Sequence, residues 1–452
     1  MNFRHIFSGI FPIMLLSLSC HQKEDKTEIN SPESIINISY QKCSDDTSQS
    51  YWIAIPEECD SAEKKPLIIA FDPHGDGNLA VHSLSGAVTH LGYRVVGSNV
   101  IRNGYENMEN AFATLTVDVL KRYNVDKARI YAVGFSGGGR FAQILSQMYP
   151  DIKAVISVGA GSVFSQSARP VNKLPVLFLA GTEDFNYMEI NNSIEVMKSM
   201  GFLCYVFEYN GKHEWPPEQI MDEALLWFEF DDCRRNTSRK NDPLIKNYLD
   251  KTRENAAKLR ADGNVLQACQ EYEKGMAFLS GLVNTKSISK EIESLKRSKV
   301  YKDQMDKKQY AHNLEIRLQQ GYIQALNQKD TAWWRKEIRN LDRELQEEQD
   351  PYIHSALSRI KKFISMASYS FCNESFRSDN LEKAARLIEI YRTVDPENPD
   401  VYYFISLYYS ESGQLVKAKE YFREAVSKGF TDFKKASDEL AQSVYKEGLS
   451  KK

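Results

Sequence analysis

Apolar residues follow two different rhythms along the chain. Between about Ile36 and Arg235, short β-branched runs alternate with stretches whose apolar residues recur every three or four positions. The runs SYWIAIP (50–56), PLIIAFDP (66–73), YRVVGSN (93–99), ARIYAVGF (128–135), KAVISVGAG (153–161), LPVLFLAG (174–181) and FLCYVFEYN (202–210) predict strands. Each is short and rich in residues that suit a pleated, buried surface. Helices are predicted near 82–91, 108–123, 138–149, 188–200 and 217–230, where spacings such as Leu115 to Val119, or Ile220, Ala224, Trp227 and Phe228, put apolar side chains on one face. Fully apolar strands that alternate with helices predict an α/β domain over 36–235, a doubly wound, mostly parallel sheet covered on both faces.

After the polar, basic segment CRRNTSRKNDP (233–243) the strand signal stops. Residues 244–452 carry Glu, Lys, Gln, Leu and Ala at helical spacing and predict a second, all-α domain. Within it, NLEKAARLIEIYRTVDP places Ala384, Ile388 and Tyr391, and QLVKAKEYFREAVSKG places Ala418, Phe422 and Ala425, each 34 positions further on. That period, with a small residue where two helices meet, resembles the tetratricopeptide repeat and implies a protein-binding role for this half. Ala268, Tyr272 and Gly275 repeat the spacing off this register. The charge-rich helices predicted over 285–366 read as solvated faces.

At the N-terminus, Arg4 and His5 precede an apolar stretch from Ile6 to Leu18, and SLSC leads into Cys20. The stretch is shorter than the roughly 20 apolar residues of a membrane span. The pattern resembles a bacterial lipoprotein signal peptide over 1–19, with Cys20 as the lipid-bearing residue and 20–35 as a polar tether. It implies a location in the bacterial cell envelope, with the lipid as outer-membrane anchor. Such a compartment permits disulfides. Of the six other cysteines, Cys43 with Cys59 or Cys204 with Cys233 are candidate pairs, and free buried thiols are the alternative for all of them. Net charge is −3, from 58 basic and 61 acidic residues, so no field selects nucleic acid. No CxxC pair suggests a metal site, and nothing calls for a cofactor.

The chemistry-bearing segment is GFSGG, with Gly134, Ser136, Gly137 and Gly138 standing between a predicted strand and a predicted helix. A serine on a turn this sharp has strained backbone angles, and its neighbours at −2 and +2 are pressed against strand and helix, where only glycine fits. The helix that starts at Ser136 favours developing negative charge, and the Gly137 N–H is a candidate oxyanion donor. A serine hydroxyl needs a base, and the base needs an orienting acid. On such a fold the acid and then the histidine follow the serine in the chain. His213 is the one histidine of this domain downstream of both, and Asp184 is the acid, with the adjacent Glu183 one residue out of step. The second oxyanion donor is expected from the loop HGDG, at the backbone N–H of His74 or Gly75.

These segments, SYWIAIP, PLIIAFDPHGDG, GFSGGGRFA, GTEDFNY and GKHEWPP, resemble the α/β-hydrolase superfamily, most closely its polyhydroxybutyrate-depolymerase and feruloyl-esterase-like branch. The resemblance implies a serine carboxylesterase that needs no cofactor, with Ser136 as nucleophile, His213 as base and Asp184 as orienting acid. Two departures stand out: FDPHG has two residues more than the usual run into HG, and only about a dozen residues separate SVGAG from LPVLFLAG, where lipases carry a lid. The short connection implies a small-molecule or carbohydrate-linked ester as substrate. Prolyl-oligopeptidase-type peptidases share the GxSxGG elbow but have a propeller upstream. A non-catalytic assembly protein is the third alternative.

Overall fold

Strand β5 (Val125–Phe135) stands at the centre of an eight-stranded sheet, flanked by β3 (Lys65–Phe71) and β6 (Ile152–Val158). The full order is β1-β2-β4-β3-β5-β6-β7-β8, with β1 Ile36–Lys42, β2 Ser50–Pro56, β4 Arg94–Ser98, β7 Val176–Gly181 and β8 Cys204–Tyr209. β2 runs antiparallel to both β1 and β4, and every other pair is parallel. This computed structural model describes residues 36–56, 63–164, 170–431 and 433–449. The leader, Cys20, the tether, Cys59 and part of the β6–β7 connection lie outside the described residues.

Seven strands match predicted runs. The eighth, β1, was not predicted: INISYQK lies at the sheet edge, half-buried or exposed throughout, and has no continuous apolar run. The helix expected at 82–91 is instead two short ones, α1 (Gly77–His82) and α2 (Ser85–Thr89), because Leu84 leaves the helical region at φ −117°, ψ 20°. Helices α3 (Met108–Arg122), α4 (Gly137–Met148) and α5 (Tyr187–Ser199) cover one face through Phe112, Leu145 and Ile190. The other face is covered by α1, α2 and α6 (Glu218–Arg235) through Val81, Ala87, Trp227 and Phe228. The result is a doubly wound α/β arrangement, and each large side chain buried in it contributes about 1.5–3 kcal/mol.

Cys43, Cys204, Cys233, Cys269 and Cys372 are free and buried. The Cys204–Cys233 bridge is therefore corrected. Cys204 sits in the core under α5, whereas Cys233 is near the end of α6 on the opposite face.

A second, helical region follows α6. It comprises α7 (Asp242–Ala261), α8 (Val265–Phe278), α9 (Lys286–Arg297), α10 (Lys299–Gln328), α11 (Thr331–Glu347), α12 (Pro351–Arg377), α13 (Leu381–Val394), α14 (Pro399–Glu411), α15 (Leu415–Ser427), α16 (Phe433–Glu439) and α17 (Gln442–Leu449). Tyr248 of α7 and Phe278 of α8 join Phe230 of α6 in one continuous core, so the first helices of this half are packed onto the sheet half. Helix α10, about 45 Å long at 1.5 Å per residue, runs past α8 and α9 and along α12. Helices α13 and α15 start at Leu381 and Leu415; Ile388, Tyr391, Ala418, Phe422 and Ala425 share one core, and Ala384 is also buried. No described helix is long and apolar enough to cross a membrane.

Candidate active site

The chain leaves β3 toward β4 on one side and returns to β5 on the other, so a crevice opens beyond the ends of β3 and β5. Sites on parallel sheets form at such a reversal. Ser136 sits there, directly after β5, with φ 52° and ψ −120°. It and Asp379 are the described non-glycine residues with positive φ. That conformation costs on the order of 1–3 kcal/mol and lifts the hydroxyl out of the sheet. A Cβ on Gly134 would lie 2.1 Å from the Gly138 carbonyl oxygen, and one on Gly138 would lie 2.1 Å from that of Phe71.

The structure brings Ser136, His213 and Asp184 into one row. His213 Nε2 is 3.0 Å from Ser136 Oγ, and its Nδ1 is 2.8 Å from Asp184 Oδ1. Asp184 follows β7 and is 1% exposed, whereas the His213 side chain, after β8, is 17% exposed. The Phe135 and Phe185 rings lie 4.7 and 4.0 Å from the imidazole and clamp it. With Nδ1 protonated toward the carboxylate, Nε2 is left to accept the Ser136 proton. Glu183 is excluded as the orienting acid by direction: its Oε2 accepts from Ser358 of α12, away from His213.

Gly137 is the first residue of α4, so its N–H has no acceptor within the helix. The His74 expectation needs correction. Its backbone N–H donates to Asp72 Oδ1 at 2.9 Å, and the Gly75 N–H donates to the Asp72 carbonyl at 3.0 Å. The two extra residues of FDPHG fold into this Asp72-centred turn and use up both amides. Asp72 is 2% exposed and also accepts from Trp215 Nε1 at 3.2 Å. Burial pushes its carboxyl up, but the hydrogen bonds from His74 and Trp215 more than offset this and hold it below the usual carboxylate range. The His74 imidazole is in turn raised above its ordinary value by its hydrogen bond to Asp72.

Sequence reasoning missed three contributors. Asn103 is held by its N–H to the Pro73 carbonyl at 2.8 Å, and its carboxamide lies against Gly137, where a Cβ would meet Oδ1 at 1.9 Å. Gly159, at φ 61° after β6, lies beneath the acid–base contact: a Cβ would sit 2.9 Å from Asp184 Oδ2 and 3.2 Å from His213 Nδ1. Asn186 ties the two together, its N–H donating to Asp184 Oδ1 at 2.7 Å and its Nδ2 to the Gly159 carbonyl at 2.8 Å. The SVGAG glycine was a visible signal for the second. Nothing in the sequence marked Asn103. On the far side of the acid loop is a cavity of about 840 Å³, lined by Thr182, Glu183, Glu208 and residues of α10 and α12, and neither Ser136 nor His213 lines it.

No family model matches the chain, and no curated protein matches it. Among solved structures it is similar to a thermostable esterase, at 15% identity and TM-score 0.34 over 43% of this chain and 62% of that one. It is also similar to a ferulic acid esterase, at 16% identity and TM-score 0.34 over 42% of this chain and 95% of that one. A third likeness is to an S-formylglutathione hydrolase from Staphylococcus aureus, at 14% identity and TM-score 0.36 over 43% of this chain and 97% of that one. The chain thus spans less than two thirds of the thermostable esterase's length.

Proposed function

We propose that this protein is a serine hydrolase that cleaves carboxylic esters through an acyl-enzyme. The observation that carries the reading is the imidazole of His213 within hydrogen-bond reach of both Ser136 Oγ and Asp184 Oδ1, with the serine on a strained strand-to-helix turn. In the first half-reaction His213 Nε2 takes the Ser136 proton as Oγ attacks the ester carbonyl, and the negative charge moves to the carbonyl oxygen. The Gly137 N–H at the head of α4 receives that charge, with Nδ2–H of the Asn103 carboxamide, which lies beside Gly137, as the second donor in place of His74. Collapse of the intermediate expels the alcohol, which leaves with the proton from His213. Water then repeats the cycle on the acyl-serine and frees the acid. Asp184 holds Nδ1–H and stabilises the imidazolium without taking the proton itself.

Purified chain lacking residues 1–20 should turn over short-chain or feruloyl esters, with Ser136→Ala lowering kcat by about 10⁴-fold or more. Peptide amides are offered in parallel. Cleavage of amides with no ester turnover would replace the esterase reading by a peptidase one, and turnover that survives in Ser136→Ala would remove the serine mechanism altogether.

A further inference from the structure

Thr182 and Glu183, the two residues before Asp184, are gripped from outside the sheet half. Arg359 of α12 is 5% exposed, and Glu315 of α10, its partner, is 0% exposed. Arg359 Nε donates to the Glu315 oxygens at 3.1 and 3.0 Å and Nη2 to Oε2 at 2.5 Å, while Nη1 donates to the Thr182 carbonyl. The guanidinium also lies over Tyr187, 4.5 Å from the ring centroid. Next to it, Ser358 Oγ donates to Glu183 Oε2 at 2.9 Å. At the other end of the turn, Tyr187 OH donates to Glu208 at 2.8 Å, and Glu208 also accepts from Lys308 of α10 at 2.9 and 3.0 Å.

The turn that receives these bonds also carries the histidine loop. The Thr182 N–H donates to the Tyr209 carbonyl at 2.8 Å and the Glu183 N–H to the Gly211 carbonyl at 2.9 Å, two residues before His213. Asp184 and His213 are therefore joined through backbone bonds as well as through their own contact. A displacement of the Thr182 carbonyl moves both loops. An arginine fork suits this position better than any other side chain, because its rigid plane serves a carboxylate on one edge and a carbonyl on the other. Within a bundle core the pair has a high desolvation cost, and an apolar pair of similar volume holds two helices together as well. The feature an apolar pair lacks is the third bond, to the acid loop.

We propose that Arg359, oriented by Glu315, is a positioning residue that fixes the Thr182–Asp184 turn, which makes the helical half a working part of the hydrolase. This rests on the serine-hydrolase reading above. The test uses the described halves together in one chain, with Arg359→Lys and the double variant Glu315→Met/Arg359→Met. Removing one partner alone strands a buried charge and risks unfolding, whereas the double variant removes both charges. Thermal melting, the rate of fluorophosphonate labelling, and kcat and KM on an ester substrate are measured for each. The double variant is expected to melt cooperatively, with kcat and labelling rate down roughly ten- to hundredfold and KM within about twofold of wild type, since a small misplacement of reacting groups lowers turnover more than binding. Arg359→Lys keeps the charge pair but not the fork, and should fall between the two.

Wild-type kcat and labelling in a folded double variant would overturn the proposal, as would activity that falls only in step with the folded fraction. If the double variant does not fold, wild-type kcat in folded Arg359→Lys overturns it instead. Absence of labelling in the wild type itself would defeat the hydrolase reading, a result distinct from equal labelling of wild type and variants.

Discussion

The sheet half and the helical half differ in how they hold the residues that matter. In the sheet half, backbone geometry decides: Ser136 sits at positive φ, Gly134 and Gly138 admit no Cβ, and Asp184 and His213 follow the ends of β7 and β8. In the helical half the decisive contact is made by long side chains, Arg359 reaching Glu315 and the acid loop from a helix with no unusual backbone. A backbone demand restricts the residue type and so leaves a mark that can be read. A side-chain contact across 177 positions of sequence leaves none.

The comparison is broken most forcefully at Asn103, a side-chain contact in the half where backbone dominates. Asn103→Ala should lower kcat by about 10²–10³-fold, some 2.7–4 kcal/mol of transition-state stabilisation, with KM little changed, as for loss of one oxyanion donor. Steady-state kinetics on any ester the wild type hydrolyses would show it. Unchanged kcat would return the second donor to the backbone.

Two glycines sharpen the contrast. Gly138→Ala drives a methyl into the Phe71 carbonyl and should cost about 1–3 kcal/mol of stability together with activity. Gly321, exposed within α10 with nothing within 4 Å of a Cβ, should gain about 0.5–1 kcal/mol as alanine. Melting curves of the two variants should therefore move in opposite directions.

The smallest effect concerns Asp72. Because its folded carboxyl lies below the ordinary value, its contribution is present above that value, near pH 4, and fades as pH falls through the lowered one. Stability of Asp72→Asn measured from pH 6 to 3 should accordingly decline less steeply than that of wild type. The raised His74 works in the opposite sense, its share being lost as pH rises through its folded value, but a 77% exposed side chain makes that share slight.

Much of the sheet half was legible because its strands are continuous apolar runs and its elbow is a fixed spacing of glycines. What was misread has physical causes. Strand β1 lies at an edge without a continuous apolar run, and the FDPHG turn folds onto its own aspartate, which takes the His74 amide. The charged stretch 285–366 reads as solvated, and most of it is. Glu315 and Arg359 are the exception, and their pairing depends on two helices whose packing no local pattern encodes. The six repeat positions from Ala384 to Ala425 fall on α13 and α15 and are buried, with the small residues Ala384, Ala418 and Ala425 at three of them.

The central claim is that Ser136 is an activated nucleophile. Its most direct test is mass-spectrometric mapping of the adduct formed when folded protein is treated with a fluorophosphonate at neutral pH. The account predicts one adduct, on the peptide containing Ser136, which becomes far slower to form in His213→Ala. An unmodified Ser136 in folded protein, or labelling that is indifferent to the loss of His213, would contradict it.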